Sequence, residues 1–331
     1  MPEQTKQPIL SVRHLKVHFQ VKAQHSWPWH TKKTLRAVDD ISFDLYAGET
    51  LSIVGESGCG KSTLSRALVN LHPATAGEII WMGKNLCDAT KHDWLHVRRD
   101  IQMIFQDPLG SLNPRMTVAQ IIAEPLHIHH PALSADEIMQ QVKAMMSQVG
   151  LREQMINRYP HEFSGGQCQR IGIARALILK PKMIICDEPV SALDVSIQAQ
   201  IINLLKELQK KMGLALIFIA HNLAVVKHVS DRILVMYLGR SMELADKHAL
   251  YQHPSHPYTR ALLSAIPRPD PRQEKKKTIQ NLRDDLPSPI NPPSGCVFHT
   301  RCPQAEARCA TETVMLHRIS PQTESACLLE N

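Results

Sequence analysis

The sequence lacks any uninterrupted apolar run of the roughly 18 to 20 residues that a membrane-spanning helix requires. Its start, Met1 to Pro8, is polar and contains no apolar segment of the kind that a secretion signal carries. No segment repeats at a fixed period. We therefore expect a chain that neither spans a membrane nor is secreted.

Length and charge set further bounds. A chain of 331 residues is long enough to bury a large core, and typical domain sizes predict one large domain with a smaller unit. The formal net charge of +7 favours anionic partners such as nucleotide, lipid surface or nucleic acid. The densest basic run, Lys275 to Lys277, is typical of a solvated linker. Charge alone therefore assigns no partner.

The eight cysteines fall into two groups. Four are scattered through the body of the chain, and four lie in the tail: Cys296, Cys302, Cys309 and Cys327. In the reducing compartment of an unsecreted protein, such a cluster favours metal ligation over disulfides. A proline-rich stretch after Ile266 marks a linker into this small terminal unit.

The first part of the chain reads as β-structure. The patterns predict strands over Ile9 to Val12, Lys16 to Val21 and Ile41 to Leu45. A polar insert spans about Lys22 to Leu35, and its run His25 to His30 has proline between two tryptophans, which is typical of a loop. This loop is either a plain surface feature or a docking element for a partner.

Buried strands then alternate with helices. Short apolar runs at Leu51 to Val54, Met183 to Cys186 and Ala215 to Ile219 predict strands of a mostly parallel sheet with flanking helices. The segment of about 116–180 has helical periodicity and predicts a helical subdomain inserted into the sheet domain. We expect an α/β domain over residues 1–265, antiparallel at its N-terminus, and a proline-rich linker and four-cysteine extension over 266–331.

A phosphate-binding loop follows the first of these strands. Residues 55–62 fit the pattern G-x-x-x-x-G-K-[ST], in which glycines let backbone N–H groups point at phosphates. The helix that follows adds its positive end, Lys61 reaches the β- and γ-phosphates, and Ser62 ligates Mg²⁺. The predicted nucleotide contacts are Gly55, Ser57, Gly58, Cys59, Gly60, Lys61, Ser62 and Thr63.

Two acids end the strand over Met183 to Cys186. Asp187 is placed to hold Mg²⁺, and Glu188 is placed to face the attacking water. Two acids at a strand end are by themselves typical of a solvated loop. Together with the phosphate loop they indicate nucleotide hydrolysis.

Further motifs resemble those of ABC (ATP-binding cassette) ATPases. The run Phe163 to Gln167 resembles their signature, which in that family closes over the ATP of a second protomer. Ser191 to Asp194 resembles the D-loop, Gln106 the Q-loop glutamine that also contacts Mg²⁺, and His221 the switch histidine. The resemblance implies nucleotide contacts from Phe19, Gln106, Ser164, Gly165, Gly166, Gln167, Asp187 and Asp194, and catalysis by Glu188, His221 and Gln106.

Other segments resemble the dipeptide and oligopeptide permease ATPases within this family. They are Gly110 to Arg115, Asp187 to Ser196, His256 to Thr259 and the tail from Leu286 to Cys296. The sequence departs from the family pattern at two positions: Cys168 replaces the usual arginine after the signature glutamine, and Asn222 replaces the usual aspartate after the switch histidine. These changes put the rate, and not the activity, in question.

The resemblance implies an ATPase, with ATP and Mg²⁺, that drives peptide uptake from the cytoplasmic side of the inner membrane. Its implied partners are a related second ATPase, two transmembrane permeases and an extracytoplasmic peptide-binding protein, with no nucleic acid. Cationic peptides, glutathione or nickel stay open as cargo. A second possibility is an ABC ATPase that acts on nucleic acid, but members of that class have longer chains with coiled-coil insertions or two cassettes in one chain. A third, a purely regulatory module, would be expected to lack Lys61 or Glu188, and both are present here.

Two segments of the sequence contain clustered residues of the types that ligate metals. The tail cysteines lack the close C-x-x-C pair typical of structural zinc, and the resemblance implies one [4Fe-4S] cluster on Cys296, Cys302, Cys309 and Cys327. Zinc and four free thiols remain alternatives. The histidines at 127, 129 and 130 have no matching cysteine or carboxylate set nearby and indicate a surface loop.

Overall fold

The computed structural model describes residues 7–21, 32–267 and 286–330. The tryptophan-containing run His25 to His30 and the lysines 275–277 lie outside these residues. The chain divides into two compact units. Unit 1 comprises residues 1–45, 50–88 and 220–331, and unit 2 comprises residues 46–49 and 89–219. In the described part of the chain, no helix combines the length and apolarity needed to cross a membrane.

The elements follow one another in three stretches. The first contains β1 (Leu10–Val21), β2 (Lys33–Leu45), β3 (Thr50–Val54), α1 (Lys61–Leu68), β4 (Ala76–Trp81) and β5 (Lys84–Asn85). The second contains α2 (Lys91–Asp100), β6 (Ile101–Ile104), α3 (Val118–His129), α4 (Ala135–Gln148), α5 (Gly165–Leu177), β7 (Met183–Asp187), α6 (Val195–Met212) and β8 (Ala215–Ala220). The third contains α7 (Leu223–Val229), β9 (Arg232–Tyr237), β10 (Arg240–Asp246), α8 (Lys247–Gln252), α9 (Pro257–Ser264), β11 (His317–Ser320) and β12 (Thr323–Ser325).

An antiparallel sheet in the order β2-β1-β4-β5 forms one layer of unit 1. The two strands predicted near the start are one strand, because β1 passes through an irregularity around His14 (φ 47°) without ending. The predicted polar insert was too long at its end: residues 33–35 pair with β1, Leu35 opposite Phe19, and belong to β2. The local sequence does not predict this pairing, because its residues have no clear strand pattern. The strand is stabilised here by backbone hydrogen bonds to β1.

The second sheet of unit 1 carries the phosphate-loop strand. Strand β3 runs parallel to β9, and the order continues β9-β10-β12-β11 with antiparallel pairs. The tail therefore joins this sheet, with Glu243 of β10 opposite Ser325 of β12. Its core includes the fully buried rings of Tyr237, Tyr258 and Phe298. Burial of these aromatic side chains is a large part of what holds the tail.

Unit 2 contains a parallel sheet in the order β6-β7-β8 and most of the helices. Every residue of β7 and β8 is buried, as expected for parallel strands covered on both faces. Helices α3, α4 and α5 are capped by the residues that precede them, Thr117, Ser134 and Ser164, each of which forms a capping box with the side chain three residues later. Three helix starts are thus fixed by local sequence.

Candidate active site

The loop between β3 and α1 has a backbone that only glycine allows at two positions. Gly55 and Gly60 have φ of 154° and 105°. A Cβ at Gly60 would lie 2.1 Å from the carbonyl oxygen of Ala37, and one at Gly55 would lie 2.2 Å from that of Met236. The chain therefore packs against this loop at backbone distance, and the loop keeps its tight curve.

The side chain of Lys61 is held within the same loop. It is 4% exposed, and its Nζ donates to the carbonyl oxygens of Gly55 at 2.8 Å and Glu56 at 2.9 Å. No side chain caps the N-terminus of α1, which begins at Lys61. A cation and the uncapped amides of a helix start are the groups that bind phosphate.

The end of β7 presents two acids in unit 2. Asp187 is 2% exposed, and Glu188 beside it is half-buried with a left-handed backbone, φ 46°. The Glu188 N–H donates to the carbonyl of Ile219 at 3.1 Å, and its Oε2 accepts from Nε2 of Gln106 at 3.1 Å. The structure thus brings together Gln106 and Glu188, two predicted catalytic residues far apart in sequence.

The predicted signature forms the start of α5. Ser164 and Gly165 are exposed, while a Cβ at Gly166 would lie 2.6 Å from Cγ2 of Ile197. The side chain of Gln167 accepts a hydrogen bond from the N–H of Ser164 at 3.1 Å, so this glutamine also closes the capping box. The exposed helix start is a surface that a second molecule can reach.

The predicted D-loop residue Asp194 and the residue after it are also exposed in unit 2. Asp194 precedes α6 without a side-chain hydrogen bond to it, and Val195 is 82% exposed. Asp194 and Val195 are therefore accessible to a second molecule.

Both departures from the family pattern have local explanations. Asn222 caps α7 by accepting from the N–H of Ala224 at 2.9 Å, a role that aspartate fills equally well. Cys168 is buried, 1% exposed, with its Sγ 3.5 Å from the carbonyl oxygen of Pro160. Neither residue replaces one of the predicted phosphate contacts.

The remaining predicted site residues lie in unit 1. His221 is exposed directly after β8, and Phe19 of β1 is half-buried with its ring edge against His72, 5.3 Å between centroids. In all, unit 1 contains Phe19, residues 55–63 and His221, and unit 2 contains Gln106, Ser164 to Gln167, Asp187, Glu188 and Asp194.

The four tail cysteines line one small cavity of about 20 Å³ in unit 1, together with Phe298. Burial is the largest cause that raises the pKa of the Cys296, Cys302 and Cys327 thiols, and for each the charge of other tail cysteines raises the pKa further. Among the described residues, no set of three or more His, Cys, Asp or Glu side chains is arranged to hold a metal ion. The donor set suits a four-thiolate centre, whereas the present spacing of the thiols does not.

Known protein families and individual proteins match most of this chain. The profile of the ABC transporter family matches residues 38–191, and that of the oligopeptide/dipeptide transporter C-terminal region matches residues 242–309. The oligopeptide transport ATP-binding protein OppF of Escherichia coli is 65% identical over 302 residues, which cover 91% of this chain and 90% of that protein. The chain belongs to the ABC transporter family.

A further relative and a solved structure are also similar to this ABC protein. OppF of Haemophilus influenzae is 64% identical over 307 residues, covering 93% of this chain and 92% of that protein. Among solved structures, a dimer of the ATP-binding cassette MJ0796 bound to ADP and phosphate has a TM-score of 0.64 and 27% identity, covering 72% of this chain and 98% of that chain. The predicted α/β cassette fold and the predicted family are confirmed.

Sequence reasoning missed two residues that touch the phosphate loop of this ABC protein. The hydroxyl of Tyr258 accepts a hydrogen bond from the N–H of Glu56 at 3.0 Å, and Arg301 donates to the carboxylate of Glu56 at 2.9 Å. In the sequence, Tyr258 stands out only as part of a subfamily motif. Nothing in the sequence marks Arg301, whose burial at 7% exposure is evident only in the structure.

Proposed function

We propose that this chain is the ATP-binding and hydrolysing subunit of an ABC importer that takes up oligopeptides. The relatives in E. coli and H. influenzae are oligopeptide transport ATP-binding proteins by name, and the matched regions cover 91% and 93% of this chain. The observation that carries the enzymatic part is Glu188, which follows a buried strand and accepts a hydrogen bond from Gln106. A subunit that only bound nucleotide would not need this carboxylate.

Each predicted residue has a role in this proposal. The backbone of residues 55–63 and the ammonium of Lys61 bind phosphate oxygens, and Phe19 stacks on adenine. Glu188 is the general base that takes a proton from the attacking water, Gln106 orients that water, and His221 contacts the γ-phosphate. Asp187, Ser62 and Gln106 would provide oxygen ligands for Mg²⁺, which would neutralise charge on the phosphates.

We propose that the working unit is a dimer with a related but different ATPase chain. The exposed helix start at Ser164 and Gly165 supports this, since in the family that motif closes over the ATP of the other protomer. Asp194 and the exposed Val195 support it further, because contact with a partner would remove that valine from water. The proposed contact residues of the dimer are Ser164, Gly165, Gly166, Gln167 and Asp194.

We place the complex on the cytoplasmic side of the inner membrane, with two permeases and an extracytoplasmic peptide-binding protein. The proposed docking surface is the segment of about residues 106–125 in the helical part, about 116–180. Leu109 in this segment is 54% exposed, and Arg175 of α5 donates to the carbonyl of Ser111 at 2.7 Å. This hydrogen bond joins the docking segment to the signature helix.

We further propose that the tail cysteines bind one [4Fe-4S] cluster. Four thiols line one cavity, and the resemblance to peptide-permease ATPases favours iron and sulfide over zinc. Because no set of three or more potential ligands among the described residues is arranged to hold a metal ion, binding would require the thiols to move. Anaerobic purification with iron, sulfide and zinc analysis tests this: about four iron atoms per chain, lost in Cys302→Ser and kept in Cys87→Ser, are expected. Zinc alone, or no metal, rejects the cluster.

The transport function is tested in proteoliposomes that contain the chain with its permeases and second ATPase. Peptide with the binding protein should stimulate both ATP hydrolysis and peptide uptake. Lys61→Ala should abolish both, while the exposed Lys84→Ala should leave them unchanged. Uptake of nickel or glutathione without peptide uptake would contradict the cargo, and stimulation by nucleic acid alone would contradict the transport function.

A further inference from the structure

Glu56, the second residue of the phosphate loop, forms two hydrogen bonds within unit 1, one with Arg301 of the tail and one with Tyr258 of α9. Its carboxylate Oε2 accepts from Nη1 of Arg301 at 2.9 Å, with the arginine side chain 7% exposed and that of the glutamate 26% exposed. Its backbone N–H donates to the hydroxyl of Tyr258 at 3.0 Å. The main chain and the side chain of Glu56 are therefore both held by hydrogen bonds.

One aromatic cluster holds both of these partners. Phe298 is fully buried, and its ring centroid lies 5.3 Å from those of Tyr237 and Tyr258. The N–H of Arg301 donates to the carbonyl of Phe298 at 3.0 Å, and its guanidinium lies over the ring of Tyr237, 5.8 Å from the centroid. The guanidinium position thus depends on a packed cluster and not on a flexible surface chain.

The same Glu56 residue also sets the position of Lys61. The carbonyl oxygen of Glu56 accepts from Nζ of Lys61 at 2.9 Å and from the N–H of Cys59 at 3.3 Å. A change in the backbone torsion angles of Glu56 would move this carbonyl and shift the ammonium that binds phosphate. The hydrogen bonds from Arg301 and Tyr258 oppose that change.

We infer that Arg301 is a positioning residue for the phosphate loop, acting through Glu56 on Lys61. The inference rests on the proposed ATPase function. The proposed role of Arg301 is to hold the loop in the shape that binds phosphate, without contacting the nucleotide itself. A buried guanidinium paired with a half-buried carboxylate gives the geometric restraint that an exposed ion pair lacks.

The experiment compares variants of the full chain in the assembled transporter, by the KM for ATP, kcat and the Kd of a fluorescent ATP analogue. Arg301→Met keeps an apolar stem in the cluster and should raise KM and Kd roughly tenfold, the size of one hydrogen bond between charged groups, with a smaller change in kcat. Arg301→Lys should recover most of the loss. Arg318→Met, which alters an arginine side chain that is 73% exposed in the same tail, should change none of the three.

Coupling to Glu56 is tested by Glu56→Gln and by the double variant. If the two side chains act as one unit, the double variant should bind ATP about as weakly as either single variant. The inference is wrong if Arg301→Met lowers the melting temperature alone with KM and Kd unchanged, or if the effects of the two single variants on ATP binding add in the double variant.

Should Arg301→Met fail to assemble, Arg301→Lys and Glu56→Gln test the inference by the same KM and Kd. A wild-type complex that binds ATP without hydrolysing it refutes the proposed ATPase function, and the Kd series still tests the inference.

Discussion

At the scale of single residues, Glu188 has the backbone feature that best marks a functional position. A left-handed φ of 46° costs a non-glycine residue on the order of 1 to 2 kcal/mol, and the hydrogen bond to Ile219 maintains it. This turn directs the carboxylate out of the strand toward Gln106. The sequence indicates the acid but not the turn, since a residue before proline, as Glu188 is, is expected in extended backbone.

Glu188→Gln should keep ATP binding and lose turnover, because the amide keeps the shape of the side chain but cannot accept the proton of the attacking water. We expect kcat in the assembled complex to fall at least about 100-fold, within the usual range for a general base. Glu207→Gln, the same change at an exposed site on α6, should have no effect. Turnover near the wild-type rate would show that another group is the base.

Gly60→Ala should disrupt the phosphate loop. The new Cβ would meet the carbonyl oxygen of Ala37 at 2.1 Å, whereas Gly83, with a similar φ of 85°, has open space around it. Gly83→Ala should therefore cost only the backbone strain, about 1 to 2 kcal/mol. Gly60→Ala should add a further 1 to 3 kcal/mol, roughly, and weaken ATP binding. Chemical unfolding and nucleotide titration measure the two effects, and equal behaviour of the two variants would contradict the steric account.

Sequence reasoning found these loop residues because their chemistry is local. The glycine spacing, the lysine and the buried strand before them occupy one short stretch. Arg301 and Tyr258 could not be found in this way, since their contact with Glu56 joins positions separated by about 200 residues or more and depends on how the tail packs.

At the scale of elements, β2 and β10 of unit 1 are joined by Asp39. Its carboxylate accepts from Arg240 at 2.8 Å and contacts His18 at 3.1 Å, with Arg36 at 3.9 Å. Burial alone would raise the pKa of Asp39, but the hydrogen bond and charge of Arg240, with smaller effects of His18 and Arg36, lower it below the ordinary 3.8. The ionised carboxylate therefore stabilises the folded unit at neutral pH.

This pairing predicts the acid dependence of stability. Because the folded pKa is depressed, the stabilisation is fully present above about 3.8 and is lost as the pH falls through the lower folded value. Asp39→Asn should lower the free energy of unfolding at pH 7 by roughly 1.5 to 3 kcal/mol and reduce its fall in acid. Urea unfolding across pH 2 to 7 measures this. The exposed Asp88→Asn serves as control, and an unchanged acid slope in Asp39→Asn would refute the assignment.

The docking segment gives a second prediction at this scale. In a Cys87→Ser background, which removes the exposed native thiol, Leu109→Cys should crosslink to a cytoplasmic loop of a permease. Met82→Cys, at a side chain with similar exposure in unit 1, should not. Mass spectrometry of the crosslinked peptides identifies the loop. Equal crosslinking at both positions, or none at Leu109 in an intact complex, would reject the docking surface.

Elements themselves were predictable to different degrees. Buried parallel strands such as β7 and β8 were evident from their apolar runs, and helix starts such as Ser164 from their capping residues. The polar start of β2 was not, because its pairing with β1 overrides the local sequence. The strands of the tail were missed for the same reason, since β12 forms only against β10.

At the scale of the whole molecule, the proposed dimer gives a prediction with a close internal control. Ser164→Arg should abolish hydrolysis of the ATP bound to the partner's phosphate loop, because a large cation would occupy the closing surface, while ATP binding at Lys61 of this chain stays. Ser134→Arg makes the same change at an equally exposed capping residue, in α4. Site-specific nucleotide trapping in the assembled transporter measures both. Loss of binding at this chain's own loop would contradict a shared site.

The position of β12 has a consequence for synthesis on the ribosome. Strand β10 has its partner β9 as soon as residue 246 has emerged, but its other edge is paired only by residues 323–325. Arg301 likewise reaches Glu56 only after more than 240 further residues have been made. Until then the nascent cassette has an open sheet edge, a site for unwanted pairing. A product truncated before residue 301 would also lack the Arg301–Glu56 hydrogen bond, so we expect its phosphate loop to bind ATP more weakly than that of the full chain.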